Sequence, residues 1–269
     1  MIDFHTHIFP EVLAERAVTS LAKTSGNMLP YSTGIKEDLI KTMNESGVEI
    51  SVVLSIATNE KQMKNVNDFA VSVNGYEGRL VSFGSVYPNS HRAIDELYRL
   101  RESGIKGIKL HPEYQDFFVD DDKLAPLYET LTKLNMITVF HAGMDNGFAD
   151  TGRAFAGRFA QTLKALKSPT VLAHMGGYIE WLHTEKHLVG KPVYFDTSFC
   201  FSRIPLPIMN RMVKTHGCDK ILFGSDMPWS TPRLERRLVD ALDISESDRA
   251  KIMRKNAESL LGLGAGTAV

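Results

Sequence analysis

Cysteine is scarce in this sequence: Cys200 and Cys218 are the only two in 269 residues. That rules against a disulfide framework or a cysteine-rich zinc site, and free thiols in a reducing compartment are expected. Net charge is also missing, with 31 basic against 32 acidic side chains. No field of one sign is available to draw nucleic acid or an acidic membrane surface. No apolar run approaches membrane-spanning length. The first residues lack the basic stretch, apolar stretch and cleavage site of a secretory leader. No G-x-G-x-x-G follows the first strand-like segment, and "FGSDMP" after the last one is no phosphate loop. There is no low-complexity segment. These absences leave a cytoplasmic protein whose partner is a small-molecule substrate, with neither nucleic acid nor membrane. A homo-oligomer is compatible with the sequence but not legible in it.

What is present is ordinary in amount and regular in arrangement. Apolar residues make up 43% and charged residues 23%, enough for a sizeable core at this length. Eight short β-branched runs alternate with helix-like segments. They are "IDFHTH" (2–7), "VEISVVLSI" (48–56), "LVSFGSVYP" (80–88), "GIKGIKLHP" (104–112), "MITVFHAG" (136–143), "TVLAHMGG" (170–177), "PVYFDTS" (192–198) and "KILFGSD" (220–226). Stretches such as "KEDLIKTMNESG" between them carry apolar positions three and four apart. Eight strands, each followed by a helix, is the count of an α/β (β/α)8 TIM barrel, read as one domain over 1–269. A doubly wound open sheet uses the same alternation but lacks its phosphate loop here. Residues 8–35 form a long β1–α1 connection with a predicted helix, "PEVLAERAVTSLAK", expected to serve as lid or pocket wall. A second long connection spans 142–155, and "GLGAGTAV" at the end reads as a frayed tail.

In a barrel the C-terminal strand ends surround the active site. His5 and His7 end the first strand, His141 the fifth, His174 the sixth and Asp226 the eighth. Side-chain alternation puts Asp3, His5 and His7 inside the barrel, with Ile2 and Phe4 turned to the helices. By the same rule Lys109 and His111 face inward on strand four. Two imidazoles one residue apart can grip one cation, and zinc accepts three or four His and carboxylate ligands while keeping a place for water. His5, His7, His141 and Asp226 supply such a set for one divalent metal. Zinc is the expected ion, and Mn, Fe or Co suit the same donors. A lone histidine at a strand end is usually structural, and the set carries the reading. His91, His183, His187 and His216 fall in helical segments and read as surface residues.

The constellation resembles the amidohydrolase superfamily, in its amidohydrolase-related branch that includes the amino-carboxymuconate-semialdehyde decarboxylases. "GIKLHPEYQDF", "TVFHAG", "VLAHMGG", "VYFDTS" and "ILFGSDMPW" carry the likeness, which runs from "IDFHTH" to "KNAESLLGL". The resemblance implies a distorted (β/α)8 barrel with a divalent metal at the strand mouths. It matches His5, His7, His141 and Asp226 to the ligand positions. His174 matches a histidine that polarises substrate or shuttles protons. Two-metal members need a bridging group on strand four, which a carboxylated Lys109 could supply. The simpler reading, a cation facing substrate or Asp196, gives one metal.

Metal-assisted hydrolysis of an ester, lactone or amide is the leading expectation. Asp226 then acts as metal ligand and general base and His174 as the proton or charge partner. Lys109, His111, Glu113, Tyr114, Arg153 and Trp229 are the candidate substrate-binding residues. The alternative is non-oxidative decarboxylation of a small carboxylated substrate on the same scaffold. A third reading is a barrel that binds metal without catalysis.

Overall fold

The computed structural model describes residues 1–148 and 151–264. Strands and helices alternate along it: β1 (Ile2–Thr6), α1 (Glu11–Thr24), α2 (Lys36–Ser46), β2 (Ile50–Leu54), α3 (Glu60–Val73), β3 (Leu80–Phe83), α4 (Ala93–Glu102) and β4 (Gly107–Leu110). A short α5 (Pro112–Gln115), then α6 (Ala125–Lys133), β5 (Ile137–Phe140), α7 (Ala156–Ala165), β6 (Thr170–Leu172), α8 (Trp181–His187) and β7 (Tyr194–Asp196) follow. The chain ends with α9 (Leu206–His216), β8 (Ile221–Leu222), α10 (Pro232–Asp240), α11 (Glu246–Ala250) and α12 (Asn256–Leu261).

The strands pair in parallel as β1–β2–β3 and as β4 through β8. Two seams join these sheets into a closed (β/α)8 barrel. At one, Gly84 N donates to Gly107 O (3.1 Å) and Lys109 N to Gly84 O (2.8 Å). A Cβ on Gly107 would lie 2.5 Å from the Phe83 ring, so the seam requires glycine there. At the other, Phe4 N donates to Phe223 O (2.8 Å) and Asp226 N to His5 O (2.7 Å).

The core has two shells. Phe4, Val52, Phe83, Val139, Val171 and Leu222 come from six strands into one buried cluster, which fills the barrel. Leu261 of α12 joins it and accepts from Lys106 Nζ at 2.7 Å, closing the bottom. Ile108, Leu110, Phe140, Phe195 and Phe223 pack outward against the helices.

Three sequence expectations are corrected. Ile2 and Phe4 point into the barrel, not toward the helices. Ile2 lies opposite Ile50 and Asp3 opposite Ser51, so Asp3 faces outward; the register then shifts before Thr6 meets Val53. That bulge adds one residue and re-aims His5 inward, above Phe4. Second, the strands are shorter than predicted, β8 being two residues long. His141, His174 and Asp226 stand just beyond their strands, where the chain bends away over the mouth. Third, His216 is no surface residue: it is buried, stacked on Phe195 at 4.1 Å, and donates from Nε2 to Val193 O. The predicted tail falls mostly outside the described residues, as do positions 149–150 of the second long connection.

Candidate active site

Each histidine at the mouth has one nitrogen committed to an acceptor. His7 Nδ1 lies 2.8 Å from Leu54 O, His174 Nδ1 2.9 Å from Ser198 O, and His141 Nε2 2.9 Å from Met144 O. A carbonyl only accepts, so these nitrogens carry the protons. His5 Nδ1 donates likewise to Asp196 Oδ2 at 2.8 Å. Burial pushes His5 down to about 4, helped by Lys109, and also lowers His141 and His174. Neutral imidazoles so tethered present bare lone pairs on the opposite nitrogens.

Those lone pairs face one another. His5 Nε2, His7 Nε2 and Asp226 Oδ1 form a triangle with sides of 3.2, 3.1 and 3.3 Å. His174 Nε2 lies 3.2 Å from His141 Nδ1. Acceptors held in contact repel unless something positive lies among them. A proton on His7 would serve Asp226, but the only other donor to His5 Nε2 among the described residues, Lys109 Nζ, stands at 3.5 Å, the limit of a hydrogen bond. A single ion bonded at about 2.0–2.1 Å, with angles between octahedral and tetrahedral, sets its ligand atoms about 2.8–3.4 Å apart. The triangle has those dimensions, so the residues fit a divalent cation.

The arrangement is anchored from behind. Asp196 Oδ1 accepts from His174 N at 3.0 Å, Ser198 N at 3.1 Å and Ser198 Oγ at 2.5 Å, while Oδ2 holds His5. Burial alone would raise the Asp196 and Asp226 carboxyls, but His5 and its neighbours outweigh it and hold both well below the usual range. His174, Phe199 and Asp226 adopt φ of 58°, 55° and 65°. These left-handed conformations, of order 1–3 kcal/mol each, concentrate at the mouth. Asp196→Asn should leave the fold intact and weaken metal binding about 10–100-fold, because His5 loses the partner that fixes its tautomer. Competition titration against a chromophoric chelator reads the change.

Above the triangle opens a cavity of about 550 Å³, walled by the strand ends, α1 and α3. Its lining includes His5, His7, His141, His174 and Asp226 at the floor. The amidohydrolase family model matches residues 2–263. The chain belongs to the amidohydrolase family. Similar solved structures share this fold nearly end to end. An uncharacterised TIM-barrel protein from Bordetella bronchiseptica is 18% identical with a TM-score of 0.78, covering 97% of this chain and 98% of that one. A dihydroxybenzoic acid decarboxylase from Polaromonas sp., solved with manganese and the inhibitor 2-nitroresorcinol, is 18% identical with a TM-score of 0.74, covering 97% and 96%. 5-Carboxyvanillate decarboxylase from Sphingomonas paucimobilis is 14% identical with a TM-score of 0.73, covering 98% and 99%. Such identities speak for the fold alone. No curated protein matches the chain.

The remaining candidates divide in this amidohydrolase. Lys109, His111, Tyr114 and Trp229 line the cavity. Lys109 Nζ lies 3.5 Å from His5 Nε2, and burial lowers its amine to about 8 against the opposing pull of Asp196 and Asp226. Glu113 and Arg153 instead pair with each other at 3.2 Å, Arg153 also reaching Asp116, and neither is among the lining residues. His111, His141 and Asp145 form a second cluster of ligand atoms. There the two rings stack at 4.1 Å and 13°, so no one ion can lie near both ring planes, and this cluster is a poor cation cage. Asp145 escaped the sequence reading because it lies beyond the fifth strand in the long connection, and Ser198, which ends the seventh predicted strand, because a serine there is no metal-ligand signal. Gln115, also missed, accepts from His111 N and donates to Ala57 O and Val86 O, tying three strand ends together. Gln115→Leu strands these buried groups and should cost about 2–4 kcal/mol in urea unfolding.

Proposed function

We propose that this amidohydrolase is a metal-dependent, non-oxidative decarboxylase of a small carboxylated substrate, aromatic or dienoic. One observation carries the reading: a buried lysine stands beside the acceptor triangle at the floor of a cavity with largely apolar walls, the other lysine of the lining, Lys61, being exposed on α3. There Lys109 stands beside the acceptor triangle, while Leu54, Ile56, Phe199 and Trp229 supply walls. An apolar body with a carboxylate at one end fits that distribution. The decarboxylases of similar fold support the choice, and hydrolysis, first in the sequence reading, becomes second. That His5, His7 and Asp226 all line the open cavity speaks against the non-catalytic barrel.

His5, His7 and Asp226 would hold the ion, with His141 as fourth candidate through its unprotonated Nδ1. Zinc or manganese would suit these donors. A bound divalent ion would supply the fixed positive charge that gathers substrate oxygens and disperses charge developing on them. Lys109 donates to the substrate carboxylate and orients it, and the apolar walls exclude water. The carbon–carboxyl bond breaks, its electron pair stays on carbon, and CO2 leaves. The carbon then needs a proton. Asp226, ionised at rest, would first take that proton from water or a substrate hydroxyl and then pass it to carbon; among the described residues no hydrogen bond engages its Oδ2. His174 is the second carrier, since Asp226 and Asp196 both favour its protonated form against burial.

The test is a turnover screen of manganese- and zinc-loaded protein on salicylate, dihydroxybenzoates and muconates, read as released CO2, beside lactones, esters and amides. CO2 from a carboxylate with no ester or lactone cleavage is the expected result. Hydrolysis without CO2 release would overturn it.

A further inference from the structure

The cavity is larger than a single-ring acid requires, and its excess has a direction. A dihydroxybenzoate has about eleven non-hydrogen atoms and, at close packing, occupies about 200 Å³. The cavity holds about 550 Å³. Away from the triangle it is walled by Leu13, Ala17 and Leu21 of α1 and by Gln62, Val66 and Phe69 of α3, where Lys61 and Asn65 also border it. These positions recur every three or four residues, so a whole face of each helix borders the space. Nine residues of α1, from Leu13 to Leu21, span about 12 Å.

The α1 face is not needed by the core, whereas on α3 Val66 and Phe69 border the cavity and also pack against buried clusters. α1 packs on the barrel through Ala14 and Val18, and α3 through Met63, Asn67 and Ala70. Leu13 is left 52% exposed at the rim. The long β1–α1 connection therefore brings a second, mostly apolar stripe across the mouth, facing a stripe on α3 and continuous with the triangle below. An occupant held at the triangle by an acidic head and reaching between these helices must carry an apolar extension.

We infer that the substrate is a carboxylate bearing an alkyl chain or second ring, seated between α1 and α3, with Ala17 and Val66 setting the length accepted. The head-group part of this statement rests on the decarboxylase reading, whereas the tail part rests on the two helix faces. Burying a methylene in such a slot multiplies affinity about four-fold.

The experiment measures binding, not turnover. Salicylates carrying hydrogen, butyl or hexyl at ring position 4 are titrated calorimetrically into manganese-loaded full-length protein. The corresponding 3-alkylphenols, without the carboxylate, form a second arm. The expected result is an affinity gain of at least ten-fold from hydrogen to butyl in one or both arms, cancelled by Ala17→Phe and by Val66→Phe. Both positions are half-buried and tolerate bulk, and unchanged melting temperatures confirm folding. If the phenols gain with chain length and the salicylates do not bind, the tail slot stands and the carboxylate reading falls. If salicylate binds and loses CO2 but no chain-length gain is seen in either arm, the slot is overturned and the decarboxylase stands. Gains that survive both phenylalanine variants also overturn it.

Discussion

Asp226→Asn should raise the melting temperature of the metal-free protein while lowering turnover about 1,000-fold. The two effects have one origin. In the native chain Asp226 Oδ1 stands 3.1 Å from His7 Nε2 and 3.3 Å from His5 Nε2, and both nitrogens present lone pairs. An asparagine amide in the same place has two N–H groups, one for each imidazole. Satisfying two buried acceptors contributes about 1–2 kcal/mol, which at this size moves the midpoint by several degrees, at about 2–4 °C per kcal/mol. On the function proposed above, the substitution also removes the anionic ligand and the carboxylate that would carry the proton. Metal-free stability would rise as function falls, the trade expected where a site holds like groups together. Scanning calorimetry after chelation, paired with CO2 release after metal loading, checks both signs. A lower metal-free midpoint, or turnover within ten-fold of native, would show that Asp226 does not have this role.

The residues that converge at the mouth were legible because each ends a conspicuous apolar run, and a barrel brings all such ends to one rim. His5, His7 and Asp226 meet in a 3.1–3.3 Å triangle for that reason. What alternation could not show is the bulge in β1. A strict two-residue period assigns Phe4 to the helices, yet Phe4 packs edge-on to Phe83 inside the barrel, 5.9 Å between ring centres. An inserted residue leaves no mark in composition. Nor does the sequence disclose which polar residues will be spent on one another. Glu113 and Arg153 looked suited to substrate binding, but Arg153 is spent on Glu113 at 3.2 Å and on Asp116 at 2.5 Å. His216 looked superficial because it falls in a helical segment, and the ring beneath it, Phe195, lies on the preceding strand, a packing that the helical pattern alone does not disclose. The cavity's upper wall was anticipated as a long connection. That Leu13, Ala17 and Leu21 would share a face open to it depends on how α1 lies on the barrel, which local periodicity leaves open.

Removing and restoring the ion should give the largest effect on the whole protein. At about 100–1,000 times its dissociation constant, an ion that binds only the folded chain stabilises it by about 3–4 kcal/mol, on the order of 10 °C here. Chelated protein should therefore melt well below protein reloaded with manganese or zinc, and lose all turnover. Acid should act in the same direction. His5 is held near 4 in the folded chain against about 6.5 in the unfolded one, so between these values the unfolded chain binds more protons. Stability rises with pH wherever that holds, and it falls as pH drops from about 6.5 toward about 4. Burial lowers His111, His141 and His174 as well, and each adds to the fall in the same sense. Metal-loaded protein should lose more across that window than chelated protein, since the protons that favour unfolding also compete for the ligand nitrogens. Urea midpoints of both forms at pH 7.5 and 5.0 measure the difference. Equal losses in the two forms would place the ion away from these histidines.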